Sequence, residues 1–370
     1  MVRKGYVAVV ATVAALSLGL SACSKKDDSD GGGQSESQKP AVMWVDSDGC
    51  TVASQYCDVF LTTVLKNDKD AVQLVVENAS AGIFPKVDTV GDLKNGGTGL
   101  SSYNQFDSKV SSGLKSEIDT VKADIISGKI KITSKSQPTG STDLTEPATG
   151  TANKNFSACM VTDTGGIDDK SFNAASWAGM QAAQAAGKAK VQYVSSKTQA
   201  DYAPNIRALV TKGCKLIIGV GGLMSEAINN AAKANPKLNF AIVDGAGNGS
   251  NVQGIQINTA QSGFLGGYLA AGYSKSGKVA TYGGLQIAPV TVYMDGFYEG
   301  VQYYNKQKDK KVQVLGWNES TQKGTFAGSF TDQGKGQQIT QNFIQQGADV
   351  IFPVAGGTGL GSAAAAQAAK

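Results

Sequence analysis

The chain has 370 residues, 34 of them basic and 30 acidic, for a formal net charge of +4 without a single histidine. That absence removes the commonest general base, the usual Ser and Cys triads and the commonest metal ligand. Arginine, the usual bidentate clamp for carboxylates and phosphates, occurs only at Arg3 and Arg207, which disfavours acidic ligands, and a charge this near neutral does not point to nucleic acid.

Residues 1–22 read as an export signal: Arg3 and Lys4, an apolar run over 6–20, then Ser21 and Ala22 before Cys23. Leu20-Ser21-Ala22-Cys23 resembles the bacterial lipobox, which implies cleavage before Cys23 and acylation of its thiol. The other readings are an ordinary signal peptide and a membrane helix, but the run falls short of the roughly 20 residues a spanning helix needs. Cleavage would remove Arg3 and Lys4 and no acid, lowering the charge from +4 to +2. Residues 23–40 are rich in Ser, Asp, Gly and Lys and predict a flexible tether.

Next come a strand pattern over 41–46, helix patterns over 57–66 and 70–77, a longer amphipathic helix over 110–126 and a strand-like stretch at 129–132. Cys50 and Cys57 lie seven apart in an exported chain and could form a local disulfide. Residues 134–155, rich in Ser, Thr, Pro and Gly, read as a linker.

From 156 onward short apolar runs alternate with helical patterns. Strands are predicted at 158–161, 191–194, 216–220, 240–243, 254–257, 279–282, 312–315 and 350–354. Helices are predicted at 172–186, 202–212, 225–234, 264–274, 292–304 and 336–346. This spacing argues for parallel βαβ units whose apolar strands are covered on both faces. Cys159 and Cys214 sit in or beside strand patterns and read as buried free thiols; with no C-x-x-C pair, neither zinc nor redox chemistry is implied. The pattern ends at Ala-Gly-Gly-Thr-Gly-Leu-Gly (355–361) and an alanine-rich helix that has no following strand to feed. The strand it lacks is expected at the other end of the chain, in 41–133. The competing organisation, an independent N-terminal domain of about 95 residues, would have few strands and a weak core.

The most informative segment is Asp-Thr-Gly-Gly-Ile-Asp-Asp-Lys-Ser-Phe-Asn at 163–173. It follows a strand and opens a helix, so it sits at the mouth of a strand-to-helix turn, where open α/β sheets bind ligands. Together with Asp-Tyr-Ala-Pro-Asn-Ile (201–206), Phe-Ala-Ile-Val-Asp-Gly (240–245), Ser-Phe-Thr-Asp (329–332), Gln-Gly-Ala-Asp (346–349) and Ala-Gly-Gly-Thr-Gly (355–359), it resembles the basic membrane protein family of bacterial lipoproteins, purine-nucleoside receptors of ABC importers. Segments resembling Val45-Asp-Ser-Asp48, Leu61-Thr-Thr-Val-Leu-Lys66 and Asn95-Gly-Gly-Thr-Gly-Leu100 follow the Ala-Gly-Gly-Thr-Gly motif in that family but precede everything else here. The implied order is a circular permutant, against truncation plus a duplicated tail: 41–133 is a transposed C-terminal segment, 134–155 joins the former ends, 156–370 is the remainder, and 41–46 should pair in parallel beside 350–354.

The resemblance implies an α/β type I periplasmic-binding-protein fold, two doubly wound lobes closing by a hinge. One lobe would combine part of 41–134 with 156–258, the other mainly 259–370 with a piece of the N-terminal segment. It further implies a non-enzymatic, lipid-anchored receptor on the extracytoplasmic face of the cell membrane, without cofactor or metal. Its partners would be an ABC permease and guanosine, inosine or adenosine. Matched residue by residue, Phe172 and Phe330 would stack on the base. Asp163 and Asn173 would read its edge, although Asp163 could instead cap the following helix. Asp46 and Lys66 would hold the ribose beside Gly356, with Asp244 a weaker candidate, while Asp168, Asp169 and Lys170 organise the turn. A receptor for a sugar or an autoinducer-like polyol is the alternative, and a nucleoside-processing enzyme a more distant one.

Overall fold

The computed structural model describes residues 39–84, 88–138 and 153–369; the signal, Cys23, nearly all of the tether and most of the linker lie outside them. In chain order come β1 (Ala41–Asp46), α1 (Gly49–Val52), β2 (Phe60–Lys66), α2 (Asp68–Ser80), β3 (Thr89–Gly91), β4 (Thr98–Leu100) and α3 (Ser112–Ile126). There follow β5 (Ser157–Val161), α4 (Phe172–Ala185), β6 (Lys190–Val194), α5 (Tyr202–Thr211), β7 (Leu216–Val220), α6 (Ser225–Ala234), β8 (Asn239–Val243) and β9 (Val252–Ile257). The rest is α7 (Thr259–Tyr273), β10 (Lys278–Gly283), α8 (Ala288–Lys308), β11 (Gln313–Leu315), a small hairpin of β12 (Trp317–Asn318) and β13 (Lys323–Gly324), α9 (Gln333–Gln345), β14 (Val350–Val354) and α10 (Gly359–Ala368).

Two six-stranded sheets organise two lobes, ordered β11-β10-β14-β1-β2-β4 in the first and β3-β9-β8-β7-β5-β6 in the second. All pairings in them are parallel except β2 with β4. Strand β1 lies beside β14, with Ala41 opposite Val350 and Val42 opposite Ile351. Its six residues are all buried, as a strand in mid-sheet covered on both faces must be.

The lobes repeat one another. In the first, β10 is flanked by β11 on one side and β14, β1 and β2 on the other; in the second, β5 is flanked by β6 and by β7, β8 and β9. The backbone detail repeats as well: Ala41 N–H donates to Asp349 C=O at 2.9 Å just as Asn239 N–H donates to Lys215 C=O at 3.1 Å. In the second lobe α6 joins β7 to β8 through the chain. In the first, α10 follows β14 and packs on β1, with Ala363 and Ala366 against Val42, Trp44 and Phe60.

The sequence pattern and the structure part at several points. Residues 57–66 are expected as helix, but 57–59 form a turn and 60–66 form β2; Phe60-Leu-Thr-Thr-Val-Leu is a buried run without polar alternation, which periodicity alone cannot separate from a buried helix segment. No strand forms at 129–132, where Ile130 instead tucks into the first lobe's core. Most of the N-terminal segment (β1, β2, β4 and α3) joins residues 259–369, while α2 and β3 go to the other lobe. Cys159 and Cys214 form a disulfide rather than resting as free thiols, because parallel pairing of β5 with β7 brings their Cα atoms to 6.0 Å. Cys50 and Cys57 are also bridged.

Among the described residues the chain crosses between lobes at 66–68, 91–98 and 257–259. The crossings are laced together: Asn67 N–H donates to Gly97 C=O at 2.9 Å, Asn258 N–H to Gly91 C=O at 2.8 Å, and Leu93 N–H to the Gln261 side chain at 2.9 Å. Residues 134–138, the start of the expected linker, are bonded to α8 through Ser134 to Asp295 and Ser136 to Thr291, and to the crossing at 257–259 through Gln137 and Asn258. Behind the first sheet, α7 and α8 cross at very short range. Gly263 and Gly267 face the backbone of Tyr293 and Phe297, while Gly296 and Gly300 face that of Ala260 and Phe264; any side chain there would separate the helices.

Candidate functional site

The carboxyl ends of both sheets face one cavity between the lobes. Its position follows from topology. Strand order reverses between β5 and β7 and between β10 and β14, and such reversals open a crevice. Asp163 follows β5, Gly221 and Gly222 follow β7, and Gly356 follows β14. Asp46 ends β1 and Asp244 follows β8, the equivalent corners of the two lobes, and both have φ of 66°.

Of the residues singled out from sequence, Asp46, Lys66, Asp163, Phe172, Asp244, Phe330 and Gly356 line this cavity. Asn173 does not. It is fully buried, and its amide donates to Asp163 Oδ1 at 2.8 Å and to Asp169 Oδ2 at 3.0 Å. With both N–H groups spent on carboxylates, Asn173 fixes Asp163 instead of facing the space.

Asp163 Oδ1 also accepts from Gly165 N–H at 2.9 Å, so the oxygen left uncommitted is Oδ2. Room beside it depends on Gly221, at φ 111°, where a Cβ would stand 3.1 Å from that oxygen. Burial pushes the Asp163 carboxyl above the ordinary range, against the opposing hydrogen bonds from Asn173 and Gly165. Asp169 is similarly pushed up by burial, to about 6, although it accepts from the N–H groups of Ser171, Asn173 and Ala174 at the start of α4. It holds the turn, as the sequence suggested.

Lys66 Nζ meets both oxygens of Asp244 at 2.5 Å, an ion pair that crosses from the first lobe to the second. It also lies 5.4 Å from the centre of the Phe172 ring. Burial works against the ammonium, but the carboxylates of Asp244, Asp68 and Asp46 outweigh it and raise its pKa. Burial raises Asp244, with Lys66 opposing. Asp46 accepts from Ser171 Oγ of the second lobe and from Tyr293 Oη of the first, the latter at 2.6 Å. The two aromatic rings come from opposite lobes: Phe172 packs on the core of the second, and Phe330 on that of the first, with its ring against Gly284. Gly356 takes φ of 51°, in the left-handed region that favours glycine.

Sequence reasoning overlooked Ser171, Tyr293 and Asp68. Ser171 lies inside the 163–173 motif. Tyr293 was absorbed into the apolar face of a helix, although a tyrosine buried there requires a hydrogen-bond partner. Asp68 had no signal beyond its nearness to Lys66. Among the described residues no three His, Cys, Asp or Glu side chains converge to hold a metal ion, and no helix is long and apolar enough to cross a membrane.

Two doubly wound lobes, three crossings among the described residues and a cavity lined from both lobes, with an aromatic ring from each, define a substrate-binding protein of the type I periplasmic class. Residues 156–370 match the family model Bmp, described as ABC transporter substrate-binding protein PnrA-like, and the chain belongs to that family. It is 36% identical over 225 residues to the CD4+ T-cell-stimulating antigen of Listeria innocua, a match covering 59% of this chain and 60% of that one. Similarity to the ABC transporter nucleoside-binding protein BmpA of Lactococcus lactis subsp. cremoris is 33% identity over 229 residues, 60% of this chain and 62% of the relative. The matches thus span about three fifths of the length of these curated relatives. Among solved structures, an ABC transporter system solute-binding protein from Aeropyrum pernix K1 aligns with a TM-score of 0.50 at 26% identity, covering 57% of this chain and 58% of that one.

Proposed function

We propose that this protein is the lipid-anchored, extracytoplasmic receptor of an ABC importer and that it closes its two lobes on a purine nucleoside. The observation that carries the reading is the cavity itself, where Phe172 and Phe330 face in from opposite lobes beside the uncommitted Asp163 Oδ2 and the Asp46, Lys66 and Asp244 group. A nucleoside offers what these residues take: a flat base for two rings, N–H donors for a carboxylate, a vicinal diol for acids and a lysine, and no net charge. The similarity to a relative named as nucleoside-binding supports the same ligand class. Asp163 accepts from the base edge, Asn173 holds it in place, and Asp46 with Lys66 addresses the sugar. The role is binding and delivery to a permease, without catalysis.

The chain is, in this reading, a circular permutant of its relatives. Support comes from the family match beginning only at residue 156, from the place of β1 in mid-sheet beside β14, and from α10 and β1 occupying the positions that α6 and β8 hold in the other lobe. Cys23 carries the lipid anchor. Titration calorimetry with guanosine, inosine, adenosine, cytidine and ribose tests the ligand class: the purine nucleosides should bind and cytidine and ribose should not. Tight ribose binding with indifference to nucleosides would overturn it. Cys23→Ser should release the protein from membranes; retention there would remove the anchor.

A further inference from the structure

Asp68 stands behind Lys66 and does not line the cavity. It is the first residue of α2, entirely buried, and neither carboxylate oxygen has a hydrogen-bond partner. Its nearest charge is Lys66 Nζ at 3.8 Å, beyond bonding distance, and that ammonium is already engaged by Asp244 at 2.5 Å. One lysine therefore stands between two buried carboxylates and bonds one of them. The two carboxylates differ in what happens to them when the lobes move. Asp244 reaches Lys66 across the cleft, whereas Asp68 is tethered to it two residues along the chain, on the crossing at 66–68.

We propose that Asp68 is a positioning residue for ligand binding, the second seat of the Lys66 ammonium: when a ligand's hydroxyls bond Asp244, the ammonium turns to Asp68, whose carboxyl group gives up its proton to solvent. The inference rests on the proposed ligand class, since it needs hydroxyl donors at Asp244. A shift of about 1 Å brings Lys66 within hydrogen-bond distance, and the N-terminus of α2 favours the anion that results. A buried carboxylate without a hydrogen-bond donor and with only a shared counter-ion is costly, so Asp68 keeps its proton until the ammonium arrives. The charged groups around it agree. Burial raises Asp68, Lys66 opposes this, and Asp244, Asp46 and Asp169 add to it; Lys69 and Asp70, next on α2, are exposed to solvent. No other reagent is required: one O–H bond of Asp68 is broken, and the buffer takes the proton.

The experiment is calorimetric titration of the mature protein with inosine in buffers of different ionisation enthalpy, repeated across the neutral pH range. Wild type should release a fraction of a proton approaching one, and its affinity should tighten by up to about tenfold per pH unit where release is complete. Asp68→Asn should bind inosine more weakly, without proton release and with a flat pH profile. Inosine binding by wild type with no proton exchanged at any pH overturns the hand-over and leaves the nucleoside reading standing; this arm decides even if Asp68→Asn does not fold. Proton release by Asp68→Asn equal to that of wild type also overturns it. Absence of binding by any nucleoside removes both readings together.

Discussion

Replacing the two facing rings one at a time and together gives the most direct reading of the cleft. Phe172 and Phe330 are each half-buried, so alanine removes cavity wall more than core and the fold should persist. A base stacked on an aromatic ring gains roughly 1 to 3 kcal/mol, so each single variant should bind inosine about 5-fold to 150-fold more weakly. The double variant carries the finer information. The rings belong to different lobes, and the base can touch both only when the lobes are closed, so losing one ring also weakens the closure through which the other acts. The second substitution should then cost less than it does alone, with a coupling of about 0.5 kcal/mol or more. Affinities come from calorimetry, with melting midpoints to confirm folding, and Tyr193→Ala, at a residue 42% exposed on the second lobe, serves as a control that should change nothing. Unchanged affinity in either folded single variant takes that residue out of the site. Strict additivity refutes the sandwich across the cleft.

Further outcomes follow from the same geometry. Residues 156–370 alone should fail to melt cooperatively, because removing β1 strips one side of β14 in mid-sheet; adding 39–138 in trans should restore the transition. A cooperative melt by the fragment alone would contradict the interlocked fold. Gly267→Ala should lower stability by about 3 kcal/mol in denaturant titration, since a methyl there meets the Phe297 carbonyl. Asp169 has a folded pKa of about 6 against an ordinary 3.8. Its contribution to stability is therefore full below about 3.8 and lost as pH rises through about 6, a difference of roughly 3 kcal/mol. Asp169→Asn should flatten this part of the stability profile measured by calorimetry, and an unaltered slope would assign it to other groups.

The alternation from residue 156 onward was legible because parallel strands covered on both faces write themselves as unbroken apolar runs. The 163–173 motif was legible because glycines and carboxylates between such a run and a helix have few other uses. The same rule misled at 57–66, where Thr62 and Thr63 are buried along with their apolar neighbours and no alternation reveals the period. The Cys159 to Cys214 bridge could not be read at a separation of 55, since only the pairing of β5 with β7 makes those two neighbours. Asn173 shows the limit most clearly. A carboxamide can both donate and accept, so its sequence position allowed a ligand role; which groups consume its donors is decided by Asp163 and Asp169, and only the folded turn brings all three together. The paired glycines at 263 and 267 and at 296 and 300 were present in the sequence, but a helix contact that close can be recognised only from both helices at once.

Asp46 and Asp244 tie the order of the chain to the chemistry of the cleft. Each stands at the end of a strand in the left-handed region, at φ 66°, an unusual conformation for a non-glycine residue and one that clusters at functional sites. One lies in the N-terminal segment and the other in the part matched by the family model. Asp46 takes a hydrogen bond from Ser171 in the opposite lobe, and Asp244 takes Lys66 from the opposite lobe. Each half of the chain thus supplies the partner that the other half's carboxylate requires, and neither half encloses the cleft alone. What must be kept when such a chain is cut and rejoined is the set of strand ends around the cleft, because strand pairing positions those ends and pairing is indifferent to which strand is translated first.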